Sequence, residues 1–227
     1  MRIMLAAALM STALLAADKE QKDVDNRLND ATTVFQDIMA TPDKGIPQDL
    51  FDKAACVVIV PGLKKGAFVV GAQYGKGFIS CRNTAKTGWS APGAVRVEGG
   101  SVGFQIGGSE TDVVMLVMNH TGAEKLLGDK FTLGAEGEVA AGPVGRNASA
   151  DTDAKMHAEI LSWSRSRGVF AGISLKGATM RQDLDANEAL YGRKLSNREI
   201  VNTRVTTPQA AHQLVSLLDR YSPREKA

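Results

Sequence analysis

The chain has 227 residues, 44% hydrophobic and 23% charged, with a formal charge of +2, which excludes a disordered or collagen-like polymer and leaves enough apolar sequence for a core of its own. One domain of about 200 residues fits that length once a short leader is set aside. The 23 glycines argue for strands and tight turns over a helical bundle, because each weakens a helix interior by roughly 1 kcal/mol.

The chain opens with one positive charge in Met1-Arg2-Ile3-Met4, runs apolar from Leu5 to Ala17 apart from Ser11 and Thr12, and then turns charged at Asp18-Lys19-Glu20. This pattern predicts a secretory signal peptide over residues 1–17, since a membrane span needs about 20 apolar residues. Residues 18–227 then form a single domain. From 18 to 40, Val24, Leu28, Ala31, Phe35 and Ile38 recur at spacings of four and three, one stripe of an amphipathic helix. Its other positions are mainly acidic (Asp18, Glu20, Asp23, Asp25, Asp30 and Asp37 against Lys19, Lys22 and Arg27), so it is expected to pack on the domain and not to lie on an anionic bilayer. Pro42 and Pro47 end it.

From Ala55 the period changes. Short β-branched or aromatic runs at 56–60, 67–73 and 78–82 are separated by Pro61-Gly62 and Gly75-Lys76-Gly77, which read as turns between three strands. Lys64 and Lys65 are therefore expected together at an exposed hairpin tip, with Lys76 in the next turn at a different edge. Strand patterns continue at 95–97, 102–106, 113–118, 169–175 and 178–181; residues 123–127 suit a short helix, and 154–163 suit either type. Ser196-Asn197-Arg198-Glu199 is a capping box, and Thr207-Pro208 opens a helix to about Tyr221 with Ala211, Leu214, Leu217 and Leu218 on one side. The predicted fold is α+β: a Gly-rich, mainly antiparallel twisted sheet, able to curl toward a barrel, flanked by N-terminal and C-terminal helices.

Enzyme signatures are weak. Gly99-Gly100-Ser101-Val102-Gly103 matches a nucleophile elbow, but Ser101 would need a helix after it, and Phe104 to Gly108 reads as strand and turn. His120, His157 and His212 are isolated, Asp151 and Asp153 suit a solvated turn, and no phosphate loop or dinucleotide fingerprint occurs. No cofactor is expected. Cys56 and Cys81 are the only cysteines: they form one disulfide in an oxidising compartment or serve as small core residues in a reducing one. A three-stranded meander would place them at opposite ends. Zinc is excluded by the lack of a second ligand pair, and no metal site is expected.

Charge is unevenly spread. From Lys53 to Val97 there are seven bases and no acid, a local charge of +7, whereas from Glu98 to Asp153 nine acids face three bases. Such a basic region attracts anionic lipid headgroups or an acidic partner, with Lys64, Lys65, Lys76, Arg82 and Lys86 as the candidate headgroup ligands; the plain alternative is a set of solvated strand-face cations. Nucleic acid is not expected, because aromatics make up only 5% of the chain and few bases could stack.

These residues carry a family resemblance. Val58-Ile59-Val60-Pro61, Lys65-Gly66-Ala67-Phe68, Tyr74-Gly75-Lys76-Gly77, Trp89-Ser90-Ala91-Pro92, Gln105-Ile106-Gly107-Gly108, Gly142-Pro143-Val144-Gly145-Arg146, Ser162-Trp163-Ser164-Arg165-Ser166-Arg167-Gly168 and Asn187 with Tyr191-Gly192 follow in the order of the SYLF domain, over roughly residues 50–205. The resemblance implies a lipid-binding domain with phosphoinositide-type recognition in eukaryotic relatives and actin binding in fungal ones. Exported bacterial members look like stand-alone versions. The expected function is thus a non-enzymatic lipid or anionic-membrane binding protein, exported to a bacterial periplasm or outer-membrane periphery. The alternative is an envelope scaffold with a protein or polysaccharide partner, and the remote one a hydrolase using Ser101. Actin is an unlikely partner on this reading, because no separate actin-binding segment is evident and an exported protein would not meet it. Arg146, Arg165 and Arg167 read first as members of an internal ion-pair network with Asp112, Asp151 or Asp153, and second as headgroup ligands.

Overall fold

The computed structural model describes residues 2–41, 45–67, 70–83, 87–102, 107–142, 158–166, 169–170, 175–203 and 205–224. The predicted class holds. The sheet strands are β1 (Cys56–Ala67), β2 (Val70–Cys81), β3 (Gly93–Val102), β4 (Gly107–Val117), β5 (Lys130–Thr132), β6 (Val139–Ala141), β7 (Ile160–Ser166), β8 (Val169–Phe170) and β9 (Thr179–Gln182). Among the described residues they form one curled sheet in the order β5-β9-β3-β2-β1-β4-β7-β6, with β8 beside β7, and the β6–β7 pairing alone is parallel. Helix α1 (Arg2–Met39) precedes the sheet, with the short α2 (Gln48–Lys53) after it. Helix α3 (His120–Leu126) follows β4. The end of the chain supplies α4 (Leu184–Tyr191), α5 (Asn197–Asn202) and α6 (His212–Tyr221), the last entered through a 3-10 turn at Gln209–Ala211.

Both faces of the central strands are buried, and strand alternation divides the core in two. Val57, Ile59, Phe78, Ala94, Val114 and Leu116 point to one face, where α1, α4 and α6 cover them; Cys56, Val58, Val60, Ile79, Val95, Val113 and Met115 point to the other, under Phe131, Leu126 and Met180. The apolar stripe of α1 is wholly buried, Val24, Leu28, Ala31, Phe35 and Ile38 each at 0% exposure, and a helix so placed gains about 1.5–3 kcal/mol from each large side chain. An aromatic run ties the termini together: Phe35 meets Phe51 at 5.2 Å and Tyr221 at 5.8 Å, and Phe51 stacks on Trp89 at 5.1 Å. Asn187 and Asn197, fully buried, bond to each other and to both backbone groups of Ala94, fixing α4 and α5 to β3.

The three strands expected over 56–82 are two long ones. Pro61-Gly62 is a β-bulge inside β1, and Gly75-Lys76-Gly77 lies within β2 alongside it. One residue is gained by β1 between Ile59, opposite Phe78, and Lys64, opposite Tyr74. Proline lacks an N–H and fits where the ladder is already broken, and Gly62 takes φ +59°, which L side chains avoid. Because β1 and β2 form a single hairpin, Cys56 and Cys81 come opposite each other at its open end, joined as a disulfide in this structure, and not at opposite ends as a three-stranded meander would place them. Ser101 sits inside β3, paired with Gly71 of β2, not on a strand-to-helix turn, so the elbow geometry is not met. Residues 160–163, ambiguous in sequence, open β7. The predicted caps hold at Ser196, whose hydroxyl and the Glu199 carboxylate make the reciprocal bonds of a capping box.

Candidate functional site

The bulge sets which face each lysine takes. With one residue added, Leu63 and Lys65 point to the face away from α1, and Lys64 points to the same face as Tyr74 and Lys76. Lys64 and Lys65 therefore do not act together, and neither sits at a hairpin tip: both are paired on two sides, Lys64 with Tyr74 and Glu110, Lys65 with Gln73 and Ser109. Burial pushes the Lys65 ammonium below its ordinary pKa.

Along the side of α1, the helix and the bulged strands flank an open cleft of about 700 Å³. Two ion-pair clasps mark its ends. At one, Lys76 Nζ bridges Asp183 at 2.9 Å and Glu20 of α1 at 3.7 Å; burial alone would push this ammonium down, but the hydrogen bond and charge of Asp183 outweigh it and hold it above its usual value. At the other, Arg165 of β7 reaches Asp37 of α1 at 2.8 Å and Asp112 of β4 at 3.6 Å, while Asp112 also accepts the Gly62 N–H at 3.0 Å across the bulge. The network expected of Arg165 and Asp112 is present; Arg146, Arg167, Asp151 and Asp153 lie outside the described residues.

Between the clasps stand Arg27 and Lys64, with Asp23, Asp30 and Glu110 around them. None of these five joins an ion pair among the described residues, and Arg27 Nη1 is shielded from solvent with no hydrogen-bond partner. Tyr74, at 47% exposure, is one of two large exposed hydrophobic side chains among the described residues and forms part of the same wall. The α1 residues of this site were not singled out from sequence, although positions 20, 23, 27, 30 and 37 repeat the spacing of the apolar stripe one residue behind it.

Arg82 is a correction. It is 5% exposed, lies 3.9 Å over the Trp89 ring, and gives hydrogen bonds to the carbonyl and hydroxyl of Ser222, both at 2.5 Å, with longer ones to the carbonyls of Ala54 and Phe51. Its direction follows from the register: Arg82 bridges to Trp89 just past the disulfide, where α2 and the end of α6 converge. A guanidinium so committed cannot meet a headgroup, and Lys86 lies outside the described residues. Among the described residues no cluster of His, Cys, Asp and Glu could hold a metal ion, and none of the helices is long and apolar enough to cross a membrane.

A curled, mostly antiparallel sheet clasped by terminal helices, with a mixed-charge cleft at their junction, defines an α+β domain of the kind the motifs suggested. The chain belongs to the SYLF (Ysc84) family: the family described as "Las17-binding protein actin regulator" matches residues 98–221. It is similar to the SH3 domain-containing YSC84-like protein 1 of Xenopus laevis, 34% identical over 80% of this chain and 54% of that protein, and to its Homo sapiens counterpart, 32% identical over 80% and 53%. The LAS seventeen-binding protein 3 of Saccharomyces cerevisiae is 33% identical over 78% of this chain and 39% of its own. The chain thus spans about half the length, or less, of these curated relatives. The family description names actin regulation, so the expectation that actin is an unlikely partner finds no support among them.

Proposed function

We propose that this domain binds the headgroups of membrane phospholipids, without catalysis, in an exported protein of a bacterial cell envelope. The observation that carries the reading is Arg27: its side chain is half-buried at the cleft wall with Nη1 shielded and lacking a hydrogen-bond partner among the described residues, and a phosphate oxygen entering the cleft would supply the acceptor. Lys64, exposed and unpaired on the facing strand, adds a second phosphate contact. The disulfide suits an oxidising compartment and so supports export. Native protein alkylated without reduction should then have an intact mass that begins near Asp18 and carries no alkyl group; a chain retaining residues 1–17 would overturn export by a cleaved leader.

A second reading is a protein-binding module, which the actin-regulator description of the family favours. Extraction of gently purified protein separates the two. Lipid binding predicts phospholipid at about one per chain and sedimentation with phospholipid vesicles that weakens as salt rises, because exposed charges are screened within about 8 Å at 0.15 M. Protein free of lipid that also ignores vesicles would leave the second reading.

A further inference from the structure

We infer that the α1 cleft selects a zwitterionic phosphodiester, a phosphate followed by an ammonium as in ethanolamine or choline headgroups, in preference to a polyanionic one. The inference rests on the headgroup-binding reading and adds the class of headgroup. Lys76 and Arg165 are already neutralised by the clasps, so the charges left to a ligand are Arg27 and Lys64 against Asp23, Asp30 and Glu110: two cations, three carboxylates, a net of −1. An inositol polyphosphate would bring several negative charges against those carboxylates, and like charges so placed are repelled. A ligand carrying one charge of each sign meets complementary groups at both ends.

The cross-strand register places those ends. Lys64 of β1 is opposite Glu110 of β4 on one side and Tyr74 of β2 on the other, so the three side chains form a row on one face. Arg27, on the helix above, takes the phosphate together with Lys64. The ammonium then lies beside the Glu110 carboxylate, at the end of the row away from Tyr74, where it meets a charge of opposite sign. Gly62 belongs to the same wall: a Cβ there would come within 2.6 Å of Glu110 Oε1, so the bulge glycine leaves room for that carboxylate in its present position. The cleft volume, about 700 Å³, is ample for a headgroup and its glycerol.

The test uses the full chain in flotation with uncharged-carrier vesicles doped with phosphatidylethanolamine, phosphatidylcholine, phosphatidylglycerol or phosphatidylinositol phosphate, with glycerophosphoethanolamine as soluble competitor. The expected result is at least about tenfold tighter binding to the two zwitterionic lipids than to the anionic ones, with the ratio falling about tenfold in Glu110→Gln while thermal unfolding is unchanged. Competition by glycerophosphoethanolamine assigns the contact to the headgroup; saturation by it with no vesicle bound assigns the same chemistry to a free phosphodiester. Preference for the anionic lipids, or selectivity that Glu110→Gln leaves intact, overturns the inference while the headgroup-binding reading stands. No binding to any vesicle or to the soluble diester overturns both.

Discussion

Arg82→Ala should lower the unfolding free energy by about 3–5 kcal/mol, since removing one partner of a buried charged network strands the others. The variant leaves the Ser222 carbonyl with Trp89 Nε1–H at 3.0 Å as a remaining donor, but the Ser222 hydroxyl and the carbonyls of Ala54 and Phe51 each lose a charged one. It also uncovers the Trp89 ring at the centre of the aromatic run. Burial already pushes the Asp219 carboxyl above its ordinary range, against the pull of the Trp89 N–H and of Arg82. Without Arg82 that carboxyl rises further in the folded state, which then holds its proton longer than the unfolded chain does. The deficit therefore grows as pH rises through the carboxylate range. Urea unfolding at several pH values reads both effects. A variant that kept its stability within about 1 kcal/mol but lost vesicle binding would return Arg82 to the role its place in the basic region suggested.

Gly77→Ala should cost about 3 kcal/mol or more, although Gly to Ala in an open strand position is usually neutral or better. A Cβ at Gly77 would stand 2.0 Å from the Ile59 carbonyl oxygen and 2.8 Å from Val60 Cα, backbone atoms of a central strand that cannot step aside without breaking the bulge. At Gly75 the obstacles are the side chains of Leu63 and Val60, which can yield in part. Gly66→Ala is the control: nothing lies within 4 Å of its Cβ, and its stability should stay within about 0.5 kcal/mol of the parent. Equal losses at Gly77 and Gly66 in denaturant titrations would mean that close approach is not why glycine stands beside the bulge.

Local patterns carried their information reliably. The α1 stripe and the capping box at Ser196 appear where periodicity and caps placed them, and the stretches at 95–97, 113–118 and 178–181 fall on β3, β4 and β9, while 103–106 and 171–174 lie outside the described residues. The lengths of β1 and β2 were hidden because a bulge and a turn use the same residues: Pro61-Gly62 and Gly75-Lys76-Gly77 break a strand pattern whether the chain reverses or only kinks. That one ambiguity also misplaced the cysteines and the lysines, since a one-residue slip moves every later side chain to the opposite face. Helix α4 went unassigned although both its ends were written in the sequence, Asp183 accepting from Ala186 N–H and Gly192 closing in the left-handed region at φ +68°. Arg82 could not be told from a surface arginine, because its partners, Ser222 above all, are 140 residues away. Arg27 was passed over for the same reason: a charged residue on the polar side of a helix gains meaning only when a sheet packs beside it.

The bulge turns Lys64 and Lys65 to opposite faces of the sheet and gives Lys64 to the α1 cleft. Single charge reversals measure this most directly, with Lys64→Glu and Lys65→Glu compared in co-sedimentation with mixed phosphatidylethanolamine and phosphatidylglycerol vesicles, circular dichroism confirming the fold. A lysine near a membrane surface contributes roughly 1 kcal/mol, so reversing Lys64 should weaken binding by about 2 kcal/mol, some thirtyfold, while Lys65→Glu on the opposite face should change it less than about twofold. Equal losses from the two reversals, or a larger one from Lys65→Glu, would contradict the cleft as the binding site.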